Sequence, residues 1–422
     1  MYRTEDDFTT SIDWITIGLY CLLVLMGWLN IYAATYDPEM NYSIFDLSQN
    51  SGKQLLWIGT SLLLMTVILL VDYKVIDFMT FVIYGFIMLV LAFVLVAGVT
   101  VNGSKSWLVV GEFRLQPAEL AKFATALAMG KIYNNNTLKT LSNQTLYGMY
   151  AVILLPVALI VLQGDVGSAM VYSSFFVVMA ILGDGLSTVL IFIGLILGVT
   201  LVLTLLMPFW GFCILVVIVG IIIFLFSRKK LKNYITTFIG IAIALAFNLS
   251  VNTVISKLKP HRQNRIKAFI DPELDPMGAG WNVIQSKIAI GSGGFLGKGF
   301  LEGTQTKLNY VPEQHTDFIF CTVGEEHGWV GSLLLILIYM SLFYRLLFLV
   351  NRQKTKFAKL YGLSVVTILF FHFCVNIGMT IGLFPVVGIP LPFFSYGGSS
   401  LWSFTILLSI FLNFDASRRL IL

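Results

Sequence analysis

The chain has 422 residues, 57% of them apolar and 12% charged, where soluble domains carry roughly 25% charged residues. Its mean hydropathy is +0.86, and a single soluble core cannot hide that much apolar side chain, so the chain reads as a polytopic membrane protein. Nucleic-acid binders, disulfide scaffolds and cytosolic enzymes are excluded, and a net charge of +5 is too modest to name a partner by itself.

The N-terminal MYRTEDDFTTSID is acidic where a signal peptide would be basic, and the apolar run behind it is longer than a signal-peptide core, so the first span is expected to be kept. Apolar runs of spanning length lie, in chain order, near 14–34, 55–71, 78–99, 117–132, 147–162, 167–182, 186–206, 210–226, 234–255, 328–350, 360–384 and 399–414. This pattern predicts an all-α polytopic bundle of about twelve transmembrane helices, with the short Gly- or Pro-flanked runs as candidates for tilted or re-entrant segments. Cys21, Cys213, Cys321 and Cys374 sit in or beside apolar stretches without CxxC or CxxH spacing and read as small packed hydrophobes.

Orientation follows from Lys and Arg. With the N-terminus inside, cytoplasmic segments collect 14 of the 27 basic residues, including the clusters Arg228 to Lys232, Arg352 to Lys359 and Arg418–Arg419. The 256–318 segment, placed outside, carries 8 basic against 6 acidic residues. Such a cluster suits a phosphate-bearing ligand, with a solvated or lipid-attracted loop as the equal competitor.

That loop is the least lipid-like part of the chain. Asp271-Pro272 and Asp275-Pro276 flank a turn whose prolines stiffen both carboxylates. A carboxylate fixed near cations is a candidate general base, while the plain alternative is a turn or cap residue. Gly291, Gly293, Gly294, Gly297 and Gly299 surround Lys298. The run fails the Walker pattern, which leaves a pyrophosphate cradle of backbone amides against a flexible turn. Ionisable residues inside spans are costly. Glu119 and Lys122, three apart on one helix, are expected to pair. Asp165 stands at a span boundary, and Glu325 and Glu326 open another span. These residues suit a proton-coupled transporter and a structural polar network equally.

Four stretches carry a resemblance: LQPAELAK (115–122), LQGDVGSA (162–169), the loop from 265 to 320, and NIGMTIGLFPVVGIPLPFFSYGGSS (376–400). In this order they resemble the SEDS family (shape, elongation, division and sporulation) of bacterial cell-wall proteins. AIGSGG, GKG, GTQ and PEQHTDF are more similar to its elongation, rod-shape-determining branch than to its division branch. The resemblance implies a SEDS-type bundle and a peptidoglycan glycosyltransferase that polymerises lipid II, an undecaprenyl-pyrophosphate disaccharide-peptide, on the outer face of the bacterial cytoplasmic (inner) membrane. The family's essential loop aspartate corresponds to Asp275, which would take the proton of the acceptor GlcNAc 4-hydroxyl as it attacks the donor MurNAc anomeric carbon. Asp271 then reads as a turn former. Arg265, Lys298, Lys105 or a divalent cation such as Mg2+ would neutralise the departing pyrophosphate. Glu119 and Lys122 match a buried pair shaping the cavity below the loop, and Asp165 matches a span-boundary aspartate. The implied partners are a class B penicillin-binding protein, a transpeptidase that crosslinks the strands, and other elongation-complex proteins.

Departures from the family pattern are Ala118 for the usual Ser, Gly164 for Pro, and Ser106 for an Arg before Trp107, which leaves Lys105 as the nearest cation. The 186–255 region has three apolar runs where the family has one helix, so two extra helices raise the family's ten spans to twelve. An even number keeps Asp275 outside and both termini cytoplasmic. The competing functions are a lipid-linked precursor flippase, a division-type polymerase and a scaffolding subunit, and they differ in whether Asp275 is needed.

Overall fold

The computed structural model describes residues 11–36, 43–101, 103–111, 113–135, 141–191, scattered helical positions between 194 and 250, 279–308 and 310–418. The helices are α1 (Trp14–Thr35), α2 (Asn50–Leu70), α3 (Tyr73–Ala97), α4 (Pro117–Asn134), α5 (Asn143–Leu162), α6 (Val166–Val171), α7 (Ser173–Ile181), α8 (Ala279–Ser292), α9 (Thr304–Lys307), α10 (Ile319–Asn351), α11 (Lys356–Thr380) and α12 (Gly398–Ser417). Seven of the described helices are long and apolar enough to cross a membrane: α1, α2, α3, α5, α10, α11 and α12. Exposed Phe78, Phe86, Leu89 and Val96 give α3 a lipid-facing side.

Residues 1–183 and 282–422 form one compact unit, and residues 184–281 form another. In the second unit a helix opens at residue 185, where Asp184 accepts from the amides of Leu186 (3.3 Å) and Ser187 (3.0 Å). The expected spans at 186–206, 210–226 and 234–255, and with them the count of twelve, lie largely outside the described residues. So do Arg265, Asp271 and Asp275.

Helix starts follow from short polar side chains that satisfy the first amides. Asp13 accepts from Thr16 N at 3.1 Å, Asp72 from Lys74 N at 3.0 Å, Ser142 from Thr145 N at 3.2 Å and Thr355 from Ala358 N at 3.1 Å. Lodged among α3, α5, α11 and α12, α4 is buried on every side from Pro117 to Gly130, apart from the half-buried Leu120. Its alanines let neighbouring backbones close in, which explains why the least apolar of the long helices lies inside rather than against lipid.

At the end of the bundle opposite α4's start, charges clip three helices together. Arg345 forks onto Asp13, Arg352 forks onto Asp415, and Arg418 reaches Asp415 at 3.0 Å. Burial works to raise the Asp13 pKa, but hydrogen bonds from Arg345 and Thr16 outweigh it and hold the carboxyl below its ordinary range.

The structure departs from the sequence expectation in three places. Residues 99–115, read as span end and loop, form an antiparallel sheet of β1 (Val99–Val101), β2 (Ser104–Val110) and β3 (Phe113–Leu115) in the order β1-β2-β3. The expected 167–182 run is broken at Tyr172 into α6 and α7. The 256–318 loop contains helical α8 and α9, and the span expected from 328 begins at Ile319 with a break at Gly328 (φ 62°, ψ −155°).

The break has a backbone cause. A regular helix would join Trp329 N to Glu325 O and Val330 N to Glu326 O. Instead Trp329 N donates to Gly294 O (3.0 Å) and Val330 N to Phe295 O (3.1 Å), while Lys298 N and Gly299 N supply Glu325 O and Glu326 O (both 3.0 Å). A tight hairpin thus substitutes for part of one helical turn and supplies partners to these two amides and two carbonyls. Such an approach demands glycine: a Cβ on Gly297 (φ +84°) would lie 2.1 Å from Glu326 O. We predict that Gly297→Ala lowers stability by about 2 kcal/mol or more, read as a lower unfolding midpoint in detergent micelles. Gly103→Ala has the same φ but open space around it, and should cost less.

Candidate active site

The site is organised by residues 381–397, IGLFPVVGIPLPFFSYG, which join α11 to α12 without a helix of their own. Three prolines, Pro385, Pro390 and Pro392, remove amides that would otherwise need partners. The exposed carbonyls are met by side chains: Asn376 Nδ2 donates to Ile389 O (2.7 Å) and Tyr339 Oη to Pro392 O (2.6 Å). His372 Nδ1 lies 3.2 Å from Pro390 O. Val387 O lies so near α6 that a Cβ on Gly167 would stand 2.3 Å from it. Gln54 Oε1 accepts from Gly397 N at 3.2 Å.

Beneath this segment lies a buried charged cluster. Lys122 Nζ donates to Glu119 Oε1 at 2.7 Å and stands 2.9 Å from His372 Nε2. A carbonyl only accepts, so the contact to Pro390 O places the imidazole proton on Nδ1 and leaves Nε2 to accept from the lysine. The Phe404 ring completes the ammonium's surroundings at 5.1 Å. Lys122 is 1% and Glu119 4% exposed, so the pair persists because the cation has a carboxylate, an imidazole and a ring around it. Glu119 Oε2 has no hydrogen-bond partner.

Asp165, where α5 passes into α6, is saturated. It accepts from Ser168 N (3.0 Å), Ser168 Oγ (2.8 Å) and Gln116 Nε2 (2.8 Å). Ser399 Oγ, at the start of α12, lies 3.3 Å from the Gln116 amide and donates to Arg114 O at 2.8 Å. Asp165 therefore ties α6 to the start of α4, next to the Glu119 cluster.

Both described lysines expected near pyrophosphate are engaged with the protein. Lys105 Nζ donates to Leu95 O (3.0 Å) and Val96 O (2.8 Å), capping the last turn of α3, where a cation is favoured. Lys298 Nζ pairs with Glu325 Oε1 and bonds Thr304 Oγ1, each at 2.7 Å. The same carboxylate collects the amides of Thr304, Gln305 and Thr306 at 2.8–3.0 Å, so Glu325 caps α9. The glycine run donates its amides at 293, 297 and 299 to backbone carbonyls, a built hairpin rather than an open cradle. Arg265 and Asp275 lie outside the described residues. Among those described, no group of three His, Cys, Asp or Glu side chains comes together to hold a metal ion.

His372, Asn376 and Asp317 were not among the residues expected at the site. A histidine or asparagine inside an apolar span is costly unless partnered, and FFHFCVN carries that signal.

The family model FTSW_RODA_SPOVE, cell cycle protein, matches residues 13–210 and 184–420. The peptidoglycan glycosyltransferase RodA of Treponema pallidum is 33% identical, covering 97% of this chain and 98% of that one. The peptidoglycan glycosyltransferase MrdB of Escherichia coli K12 is 34% identical over 72% of this chain and 69% of its own. Among solved structures, a chain from a peptidoglycan synthase complex, solved for its coordination of polymerization and crosslinking, has a TM-score of 0.66 at 26% identity, covering 96% of this chain and 98% of that one. The rod shape determining protein RodA of Thermus thermophilus has a TM-score of 0.60 at 24% identity, covering 96% and 97%, a likeness of fold.

Removing Lys122 alone strands Glu119 in the interior. Lys122→Met should destabilise the protein by about 3–5 kcal/mol, and adding Glu119→Gln should recover part of that loss. Thermal unfolding of the single and double variants in detergent checks both.

Proposed function

Because the chain belongs to the FtsW/RodA/SpoVE family of cell cycle proteins, we propose that it is a peptidoglycan glycosyltransferase of the elongation type. It polymerises lipid II into glycan strands on the outer face of the bacterial cytoplasmic membrane, serving elongation and cell shape. The observation that carries this reading is the likeness along nearly the whole chain to a named glycosyltransferase.

In the proposed mechanism Asp275 removes the proton of the acceptor 4-hydroxyl as that oxygen attacks the anomeric carbon of the donor. The bond to the lipid pyrophosphate breaks and the centre inverts. Pyrophosphate is already a good leaving group, so the paired carboxylates of glycosidases are not required. Positive charge stabilises the departing group. With Lys105 and Lys298 bonded to the protein, Arg265 is the expected cation. The Glu119, Lys122 and His372 cluster supports residues 381–397 from below.

The lysine and arginine distribution supports cytoplasmic termini and an extracytoplasmic 256–318 catalytic loop. The three apolar runs of the 186–255 region would supply two helices beyond the family's usual ten. A class B penicillin-binding protein is the proposed partner, supported by the synthase complex among the solved relatives, with other elongation-complex proteins around it.

The test incubates purified protein with labelled lipid II, alone and with the partner transpeptidase, and resolves glycan length. Wild type should make long polymer. Asp275→Asn should make about 100-fold less or lower still, the usual contribution of a general base. Equal polymer from both proteins would remove Asp275 from the mechanism.

A further inference from the structure

Three consecutive carbonyls in the segment before α10 are gripped from outside it. Tyr396 N donates to His315 O at 2.9 Å, Ser395 Oγ to Thr316 O at 2.6 Å and Asn376 Nδ2 to Asp317 O at 2.8 Å. Within the segment, Thr316 N and Phe318 N both turn back to Glu313 O at 3.1 and 3.2 Å. The backbone at Asp317 is therefore fixed on every side. Its carboxyl, by contrast, makes no hydrogen bond or ion pair with the described residues.

The carboxyl lies close against the 381–397 segment at Gly388. One of its oxygens stands 3.2 Å from where a Cβ on Gly388 (φ +72°) would lie, so a side chain there would be strained and would crowd it. Nearby Asp165 is the contrast, a carboxylate saturated by three donors that holds helices together. Asp317 is half-buried, so its carboxyl, ordered and without a protein partner, is accessible to a bound ligand.

We propose that Asp317 is a second functional carboxyl of the transfer site, a neutral acid that donates one hydrogen bond to a pyrophosphate oxygen of the lipid-linked substrate. This rests on the glycosyltransferase reading above. An ionised carboxylate there would repel a phosphate. A neutral one donates to it, and the bond strengthens as charge gathers on the departing pyrophosphate. The proton stays on Asp317 throughout, so no bond is made or broken at this residue.

The surroundings favour the neutral form. Burial first, then the charges of Glu313 on its own segment, Asp165 at the start of α6 and Glu119 on α4, push the Asp317 pKa from 3.8 up to about 7. Lys122 on α4 is paired with Glu119, His372 on α11 is bonded to Lys122, and Tyr396 is the titratable member of the 381–397 segment. His315, beside it in sequence, has its pKa lowered by burial, with Glu313 opposing. Stability from the neutral acid is full below about pH 4 and is lost as pH rises through about 7. Activity that needs the donor falls in that upper range.

The experiment compares wild type, Asp317→Asn and Asp317→Ala from pH 6 to 8.5, with two readouts: polymer from labelled lipid II, and binding of undecaprenyl pyrophosphate to the full chain in detergent. Size-exclusion profile and unfolding midpoint certify each preparation. Wild-type binding and kcat/KM should fall as pH rises past about 7. The amide of Asp317→Asn donates at every pH, so that variant should lose the alkaline fall and stay within about fivefold of wild type at pH 6.5. Asp317→Ala should lose about 10- to 100-fold throughout. A wild-type alkaline fall retained in Asp317→Asn, or wild-type binding by Asp317→Ala, would overturn the proposal. A wild type that binds undecaprenyl pyrophosphate with this pH dependence yet makes no polymer would sink the transferase reading alone, whereas polymer with flat binding would sink only the role of Asp317.

Discussion

Everything in this molecule is arranged around one requirement: a stretch of chain without helical hydrogen bonds must lie within a helical bundle, where bare backbone groups cost several kcal/mol each. Residues 381–397 meet it by having few donors to satisfy and by borrowing donors for their carbonyls. Asn376, Tyr339 and His372 each reach one carbonyl. Two of these three also hold something else: Asn376 grips Asp317 O, and His372 accepts from Lys122. The buried ion pair, the irregular segment and the loop before α10 are therefore one mechanical piece.

This coupling explains an otherwise unfavourable choice. A buried ion pair is weak support for stability and often no better than apolar packing. Here Lys122 sits on the most enclosed helix, with its ammonium shared between α4 and α11. Replacing the cluster with hydrocarbon would leave Pro390 O unmet. The pair contributes by fixing where residues 385–392 run, and through them where Asp165 and Asp317 stand.

Much of this was legible in the sequence, for definite reasons. Long apolar runs announce spans because lipid requires them, and α1, α3, α5 and α11 fall close to where hydropathy put them. Glu119 and Lys122 were legible because a three-residue spacing on a helix brings side chains together. The sheet at 99–115 was not, because its strands of three and seven residues are too short and too mixed in composition to stand out from a loop at the end of a long apolar span. The engagement of Lys105 and Lys298 escaped for a different reason: a positive-charge count cannot tell a cation facing a ligand from one capping a helix or meeting a buried glutamate. Asp317 was counted as one acid among six in its loop, because its isolation is a property of three carbonyls held from sequence-distant residues.

The hairpin against α10 has a consequence for how the chain tolerates change in length. Two amides and two carbonyls of residues 294–299 stand in for helix bonds around Gly328, so the spacing between Phe295 and Lys298 is set by the rise of a neighbouring helix. One residue added in that turn would put one pair out of step with the other, breaking two of the four bonds and leaving four backbone groups without partners. The turn behaves as a gauge cut to one length, and the usual freedom of loops to lengthen stops there.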